Sequence, residues 1–478
     1  MSAMFSSRGF APLLVLVVAG ACKGQAPAAP APGPRAEIPP PSPLAAAPVA
    51  RASGPIDPAI AALDQRIGPQ LALVRQQGMR PSPTDLEILA HMYLERAGLS
   101  GDYDDYGKAE QALDLAVQKS APGAGPLLAR AHFRYTVHQL ARAGQDLDVA
   151  DRWVIKKRSE IDTIAGLRTD IAFHAGQYRV ARAGYEKDLD RNRAPGQAVS
   201  LAQLEWKTGH FARAEALFAK ARAWAQDGGK ELRAWVAMSE GLMELDRGRS
   251  EVALADFERG LQERPGFWSL QEHRAEVLAS LGRDDEALAS YLDLIARTHD
   301  PEFMDAAARI YEKRGDQASA RPLVAEARKI YEHRLARFPE ATAGHALEFF
   351  LRRDPRAAVP IAELNAAARP GGEAQVLLAR TYLLNARPEE ARKIVEAALA
   401  TEWNTAVLHA VAAQVFAALD DRRAAGERKK ALALNPHVFG PAAGKSASGQ
   451  RRNVDKKSAP PPRHGSAPGR KTRIRRPN

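Results

Sequence analysis

The sequence predicts an all-α protein, a helical solenoid of about ten stacked helix pairs. A glycine, a small residue five positions later and a bulky residue four positions beyond recur at intervals of 33 to 39 residues. No run of alternating β-branched residues is long enough for a strand. Apolar residues make up 45% of the 478 residues but aromatic residues only 6%. Much of the apolar content is alanine, which favours close packing of helices.

Residues 267–300 show how one copy of the repeat is expected to fold. Two short amphipathic helices cross at Ala275 and Ala287, whose methyl side chains let the ridges of one helix enter the grooves of the other. Gly282 ends the first helix, because a left-handed backbone conformation costs glycine little. Asp284 is placed to cap the second helix with its carboxylate.

Ten copies of this template lie in phase along the chain, which chance matches in an alanine-rich sequence would not produce. The five stronger copies are Gly176, Ala181 and Tyr185; Gly209, Ala214 and Phe218; Gly248, Ala253 and Phe257; Gly282, Ala287 and Tyr291; and Gly315, Ala320 and Val324. The weaker copies centre on Ala109, Ala143, Ala358, Ala391 and Ala424.

This pattern resembles the tetratricopeptide repeat over residues 84–436. The family's positions are matched by Leu378, Ala379, Tyr382, Ala391 and Ala398, by Gly248, Ala253, Phe257 and Pro265, and by Ala431 with Pro436. Ala386 and Arg428 depart from it, and residues 98–106 lengthen one turn. The resemblance implies a right-handed superhelix whose inner groove, lined by the first helix of each pair, binds a partner.

The resemblance also implies which side chains face that groove. Aromatic residues in the middle repeats, followed by mixed charge, would suit a protein or peptide segment. The alternative is that Trp206 and Trp235 simply pack against neighbouring repeats. The implied groove residues are Tyr135, Phe173, His174, Trp206, Lys207, Trp235, Met238, Glu272, Glu276, Asp305, Arg309, Lys313, Arg380, His409 and Phe416.

The N-terminus predicts export. Residues 1–21 combine Arg8, a short apolar core and small residues before Cys22, the single cysteine of the chain. This is a secretory signal peptide, and it resembles a bacterial lipoprotein signal, which implies acylation of Cys22. In that pattern Lys23 implies the outer membrane, with the protein facing the periplasm or the surface. Ordinary cleavage before Cys22 would instead release a soluble periplasmic or secreted protein.

Two segments separate the signal peptide from the repeats. Residues 22–55 form a linker with ten prolines, too poor in apolar surface to fold, so we expect it to be disordered. Residues 56–83 have helical periodicity interrupted at Gly68-Pro69, which predicts two short helices capping the array. The solenoid is then expected to occupy residues 84–436.

Residues 437–478 form a basic tail that we expect to be disordered. Eleven basic residues and one acidic residue give it +10 of the chain's net charge of +11. Such a tail could bind anionic lipid head groups or envelope glycans, or it could serve only as a solubilising end. The basic positions proposed for anionic surfaces are Lys445, Arg451, Arg452, Lys456, Lys457, Arg470, Lys471, Arg473, Arg475 and Arg476.

No motif predicts catalysis. Residues 440–446 resemble a phosphate-binding loop but are one residue short and follow no strand. His91 and His132 lack further metal ligands, and no nucleophile lies in a recognisable loop. The tail has no aromatic residues for base stacking, so nucleic acid is not expected. The sequence therefore predicts a non-enzymatic scaffold without cofactor or metal, lipid-anchored at the bacterial envelope, that binds a protein or peptide. The alternative is a binder of anionic envelope polymers or glycans acting through the tail.

Overall fold

The computed structural model describes residues 58–440, which contain 21 helices and no strand. The predicted signal peptide, Cys22, the predicted linker and residues 441–478 lie outside the described residues. The helices are α1 Pro58–Gln76, α2 Pro83–Ser100, α3 Tyr103–Lys119, α4 Leu127–Thr136, α5 Leu140–Asp151, α6 Arg158–His174, α7 Tyr178–Arg191, α8 Pro195–Lys207, α9 Phe211–Trp224, α10 Lys230–Asp246, α11 Ser250–Glu263, α12 Trp268–Ser280, α13 Asp284–Thr298, α14 Pro301–Lys313, α15 Gln317–Arg337, α16 Pro339–Arg353, α17 Pro355–Ala368, α18 Gly372–Leu384, α19 Pro388–Leu399, α20 Ala406–Ala418 and α21 Arg423–Leu434.

Helices α2 to α21 form ten pairs, each packed against the pairs before and after it in sequence. The even-numbered helices are the first helices of the pairs and the odd-numbered ones the second helices. The predicted all-α solenoid of about ten pairs is therefore confirmed. None of the helices within residues 58–440 combines the length and apolar character needed to cross a bilayer.

Small residues lie where the two helices of a pair cross, as the repeat predicted. Because a methyl group is the largest side chain there, the backbones approach closely and the bulky residues pack beside the crossing. Ala424 differs, being only half-buried in the last pair. The fully buried alanines are Ala109, Ala143, Ala181, Ala214, Ala253, Ala287, Ala320, Ala358 and Ala391.

The turn within most pairs contains one residue in the left-handed conformation. The five predicted glycines have φ between 74° and 83°. Ala386, where the repeat pattern lacks its glycine, still adopts φ 55°. A side chain in this conformation costs about 1–2 kcal/mol, so packing of the flanking helices maintains the turn at Ala386.

Two local predictions were wrong. Residues 58–76 form one helix rather than two, because the helix continues through Pro69, as α15 and α17 continue through Pro322 and Pro360. Asp284 does not cap α13: Arg283 occupies the cap position, and the Asp284 carboxylate lies 2.5 Å from the Lys313 ammonium.

Helix and connection lengths depart from the regular repeat at three places. Residues 155–159 and 225–230 lie largely in connections between helices, whereas residues 330–337 belong to α15, which is 21 residues long.

The superhelix returns to itself after six helix pairs. Backbone N–H groups of Gly371 and Asn404 donate to the carbonyls of His174 (2.8 Å) and Lys207 (2.9 Å). The Asn435 side-chain amide donates to the Asp246 carbonyl at 3.0 Å. In each case the end of a first helix (α6, α8 or α10) meets the chain about twelve helices later. We call this line of contacts the seam.

Side chains extend the seam towards the start of the solenoid. Arg334 donates to the Gly101 carbonyl at 3.3 Å while pairing with Asp300 at 2.9 Å. The Trp268 indole N–H donates to the Gly98 carbonyl at 3.1 Å. The inner surface that the resemblance implied as a groove is therefore covered along the seam by the next superhelical turn.

Candidate functional site

A cavity of about 310 Å³ lies inside the closed superhelix. Every first helix from α2 to α20 contributes to its wall, as do residues of the second helices α3 and α15. The repeat explains this arrangement, because stacking turns the same face of each first helix towards the axis. The cavity is thus the common surface of the whole array rather than a pocket of one repeat.

The cavity wall is unusually rich in tryptophan: Trp206, Trp235, Trp268 and Trp403 line it, four of the six tryptophans in the chain. Phe173 lies beside Trp403 with ring centroids 6.3 Å apart. Large rings of this kind offer apolar contact area with few rotatable bonds. The wall can therefore pack against the apolar body of a ligand.

One part of the wall already holds a cation against aromatic rings. The Lys207 ammonium lies 4.2 Å from the ring centroid of Trp206 and 5.9 Å from that of Trp403. Its partner is the Asp246 carboxylate at 2.7 Å. Burial opposes the charge on Lys207, but Asp246 and Glu373 more than compensate and raise its pKa. Lys207 is therefore charged at neutral pH and neutralised by Asp246.

A second basic group in the wall is neutralised in the same way. The buried Arg334 guanidinium lies 2.9 Å from the Asp300 carboxylate and 4.3 Å from the Tyr103 ring centroid. Burial works against its charge, yet Asp300 keeps the Arg334 pKa above its usual value. Both basic side chains of the wall are thus committed to structural ion pairs.

Carboxylates outnumber these basic groups in the cavity. Within residues 58–440 neither Glu276 nor Glu373 forms an ion pair with a lysine or arginine, and His273 lies 3.5 Å from Glu276. With its histidines neutral, the wall has a formal charge of −3, since it contains two basic side chains and five acidic ones: Lys207, Arg334, Asp246, Glu276, Asp300, Glu302 and Glu373.

Histidines and an arginine form a polar cluster beside the seam. The Tyr135 hydroxyl and His174 Nε2 share a hydrogen bond of 3.2 Å, and Arg369 donates to His138 Nε2 at 3.2 Å. Burial, followed by the charge of Arg369, lowers the His174 pKa to about 3. Burial lowers the His138 pKa well below its usual value too. Both rings are therefore neutral at physiological pH.

Seven of the implied groove residues line the cavity, and Tyr135 contacts it through His174. Trp206 and Trp235 were predicted either to face the groove or to pack against neighbouring repeats. Both do both, because they line the cavity and also pack against neighbouring repeats. A partner-binding role for any of them remains a prediction. The seven are Phe173, His174, Trp206, Lys207, Trp235, Met238 and Glu276.

The remaining seven implied residues lie elsewhere. Glu272 and Phe416 are buried at 2% and 0% exposure. Arg309 lies 3.6 Å from Asp305, which also pairs with Arg353 at 2.9 Å. Lys313 is exposed and pairs with Asp284. Arg380 pairs with Glu348, and His409 pairs with Glu427 at 2.5 Å, beside a smaller polar cavity at the seam.

Sequence reasoning missed several wall residues. The implied positions run from six residues before to five residues after the small residue of a first helix, whereas Trp268 begins α12 and Trp403 precedes α20. Glu373 lies in the first turn of α18 and Asp246 ends α10. Glu373 lies six residues before Ala379, and Asp246 ends α10 as Lys207 ends α8, so the template covered both positions although neither was among the implied residues. One sequence signal could have pointed to the other two: tryptophan is scarce in this chain, and two of its six tryptophans, Trp268 and Trp403, lie at or just before the start of a first helix.

Among residues 58–440 no group of three or more histidine, cysteine, aspartate or glutamate side chains is arranged to hold a metal ion.

Comparison with known proteins gives distant structural similarity only. No family model matches the chain, and no curated protein matches it significantly. Yeast Tom70 is 15% identical, with 79% of this chain and 92% of that chain covered and a TM-score of 0.33. A tetratricopeptide repeat protein from Parabacteroides merdae is 17% identical, with coverage of 50% and 92% and a TM-score of 0.35. Values this low carry no inference about family or function, so the fold rests on the helix pairing described above.

Proposed function

We propose that this chain is an exported, lipid-anchored scaffold that binds a short segment of a protein partner at the bacterial cell envelope. One observation carries the proposal: all ten first helices present side chains to a single aromatic-lined cavity. Its volume of about 310 Å³ is at the lower end of the range for ligand sites. The segment that enters is therefore a few residues long, while the rest of the partner remains outside.

The anchoring part of the proposal is supported by the sequence pattern around Cys22. Acylation there, followed by the proline-rich linker, would hold the solenoid at the membrane on a long tether. Replacing Cys22 by alanine should move the protein from the membrane fraction to the soluble fraction, or block its processing. Unchanged fractionation and processing would refute lipid anchoring without affecting the binding proposal.

Partner binding can be tested by capture from detergent-solubilised envelope. Wild type is compared with Trp206→Ala/Trp235→Ala, which removes two rings from the cavity wall. The matched control is Trp153→Ala, because that indole donates to the Gly123 carbonyl away from the cavity. Loss of partners in the double variant alone, with its helical content and melting cooperativity retained, supports the proposal. Recovery of the same proteins in equal amount contradicts it.

A second candidate function rests on the concentration of charge in the tail. Residues 441–478 carry almost the whole net charge of the chain, which suits an anionic lipid or glycan surface. Deleting this segment separates the candidates. Partner capture that survives the deletion favours the cavity, whereas capture that disappears with the tail and weakens with salt favours binding by charge.

A further inference from the structure

The wall of the cavity carries a net negative charge, because its basic side chains do not neutralise all of its carboxylates. Lys207 and Arg334 are paired with Asp246 and Asp300, at 2.7 and 2.9 Å. Among the described residues, Glu276 and Glu373 face the cavity without an ion pair to a lysine or arginine. A carboxylate in a partly enclosed, aromatic space interacts with an added cation more strongly than it would in water. The electrostatics of the wall thus select for positive charge.

The position of Glu373 can also be explained structurally, but that explanation does not remove the preference of the cavity wall for positive charge. It lies in the first turn of α18, where a carboxylate stabilises the helix dipole. That role would be served equally by a side chain directed to bulk solvent. Glu373 instead lines the cavity and contributes to the raised pKa of Lys207, so its field reaches the interior.

The wall also shows how it would hold a cation. The Lys207 ammonium lies 4.2 Å from the ring centroid of Trp206, within the range of a cation–π interaction. Trp235 and Trp268 extend the same aromatic surface further along the cavity. A ligand with an apolar body would cover these rings and place its charged group beside a carboxylate.

We propose that this cavity binds a compact cationic ligand, in which one positively charged group is carried on an aromatic or aliphatic body. The ligand is either a free organic amine or a lysine-type side chain at the end of a peptide, which share this chemistry. Glu276 and Glu373 supply the counter-charge, and the tryptophans supply the apolar and cation–π contacts. The inference stands independently of the protein partner proposed above.

The test uses three probes with one phenylpropyl body and different head groups: phenylpropyl trimethylammonium, phenylpropanol and phenylpropanoate. Calorimetric titration into the full-length protein measures affinity, and the fluorescence of the wall tryptophans gives an independent signal. We expect the cation to bind about tenfold more tightly than the alcohol, and the carboxylate most weakly. A blocked lysyl-phenylalanine dipeptide and its acetyllysine counterpart then distinguish a peptide source from a free amine.

Variants assign the effect to the wall. Glu276→Gln/Glu373→Gln preserves side-chain volume and should remove most of the preference for the cation over the alcohol, leaving only the part that cation–π contacts supply. Trp235→Ala should lower the affinities for the cation and for the alcohol together. Glu251→Gln, on the exposed face of α11, is the matched control and should change nothing.

Three results would overturn the proposal: no probe binds the folded protein, the alcohol binds as tightly as the cation, or the Glu276→Gln/Glu373→Gln variant retains the preference. None of these results bears on capture of the envelope partner, which is measured separately. Failure of the ligand proposal and failure of the scaffold proposal can therefore be distinguished.

Discussion

Gly371→Ala tests whether the seam closes the superhelix in solution. Gly371 has φ −69° and ψ 169°, which alanine adopts without strain. A Cβ added there would lie 2.8 Å from the backbone oxygen of His174, and a backbone atom cannot rotate away. The same oxygen accepts the Gly371 N–H at 2.8 Å. The substitution therefore acts on the seam and leaves the local conformation of α18 unchanged.

The expected cost follows from three contributions. Losing the hydrogen bond costs about 1 kcal/mol, and forcing an extra methyl group into a close contact costs about 1–3 kcal/mol. Alanine also reduces the conformational entropy of the unfolded chain, which stabilises the folded state by about 0.4–1 kcal/mol. The net loss in the free energy of unfolding should therefore be about 1–3 kcal/mol if the seam is formed.

The measurements are urea unfolding, small-angle X-ray scattering and amide hydrogen exchange. We expect a larger radius of gyration and faster exchange at Asn404, whose N–H donates to Lys207 across the neighbouring part of the seam. Gly282→Ala is the control, because it forces alanine into φ 77° with no atom within 4 Å of the new Cβ. That variant should lose about 1–2 kcal/mol without changing the radius of gyration.

An unchanged free energy of unfolding and an unchanged radius of gyration for Gly371→Ala would refute closure at the seam. An equal increase in radius for both variants would also count against it, because destabilisation alone would then explain the opening.

The remaining predictions concern single residues. Ala386→Gly should raise the free energy of unfolding by about 1 kcal/mol in urea titrations, because glycine relieves the strain at φ 55°; a loss would contradict this. Arg96→Ala should lower it by about 1.5–3 kcal/mol, since the fully buried Asp105 carboxylate would lose Arg96 at 2.6 Å and keep only Lys108 at 2.9 Å; a loss below 1 kcal/mol would show that Lys108 or water compensates the charge. His174→Gln should change the pH dependence of stability. The folded pKa of His174, about 3, lies below its unfolded value. Its stabilising contribution is complete above pH ~6.5 and declines by about 1.4 kcal/mol per pH unit as the pH falls towards 3. The stability difference between wild type and the glutamine variant should narrow by about 2.5 kcal/mol between pH 6 and 4, and a constant difference would contradict the prediction.

Comparing wild type with the variant is necessary because another buried group titrates in the opposite direction. Burial raises the pKa of Asp170 to about 7, and the Tyr185 hydroxyl donates to its carboxylate at 2.7 Å. The folded state therefore binds this proton more readily than the unfolded state, which adds stability as the pH falls through 7. In the wild-type profile this gain partly cancels the loss at His174, and only the difference isolates the histidine.

The helix pairs could be predicted from sequence because their causes are local. Ala253 and Phe257 occupy fixed distances from Gly248, and those distances set one crossing and one turn. Such a pattern needs no knowledge of distant parts of the chain. The error at α1 is local as well: Gly68-Pro69 was expected to break the helix, yet α1 continues through Pro69, as α15 and α17 continue through Pro322 and Pro360.

The closure of the superhelix could not be predicted in this way. It depends on small rotations summed over six pairs, and on contacts between residues that are far apart in sequence. His174 and Gly371 are separated by almost two hundred positions, and no repeat-level signal relates them. Consequently wall residues within the first helices, such as Trp235, were predicted, whereas Trp403, which lies in the connection before α20, was missed.

Closure also limits what the interior can bind. The three seam hydrogen bonds that involve backbone groups contribute about 1 kcal/mol each, and the ion pair of Arg334 with Asp300 adds to them. A partner long enough to need an open groove must therefore recover at least about 3 kcal/mol from its own contacts, which lowers its apparent affinity more than a hundredfold. A compact ligand incurs no such cost, because it fits the cavity with the seam intact. For a given contact area, the closed superhelix therefore favours small or terminal ligands over long internal segments.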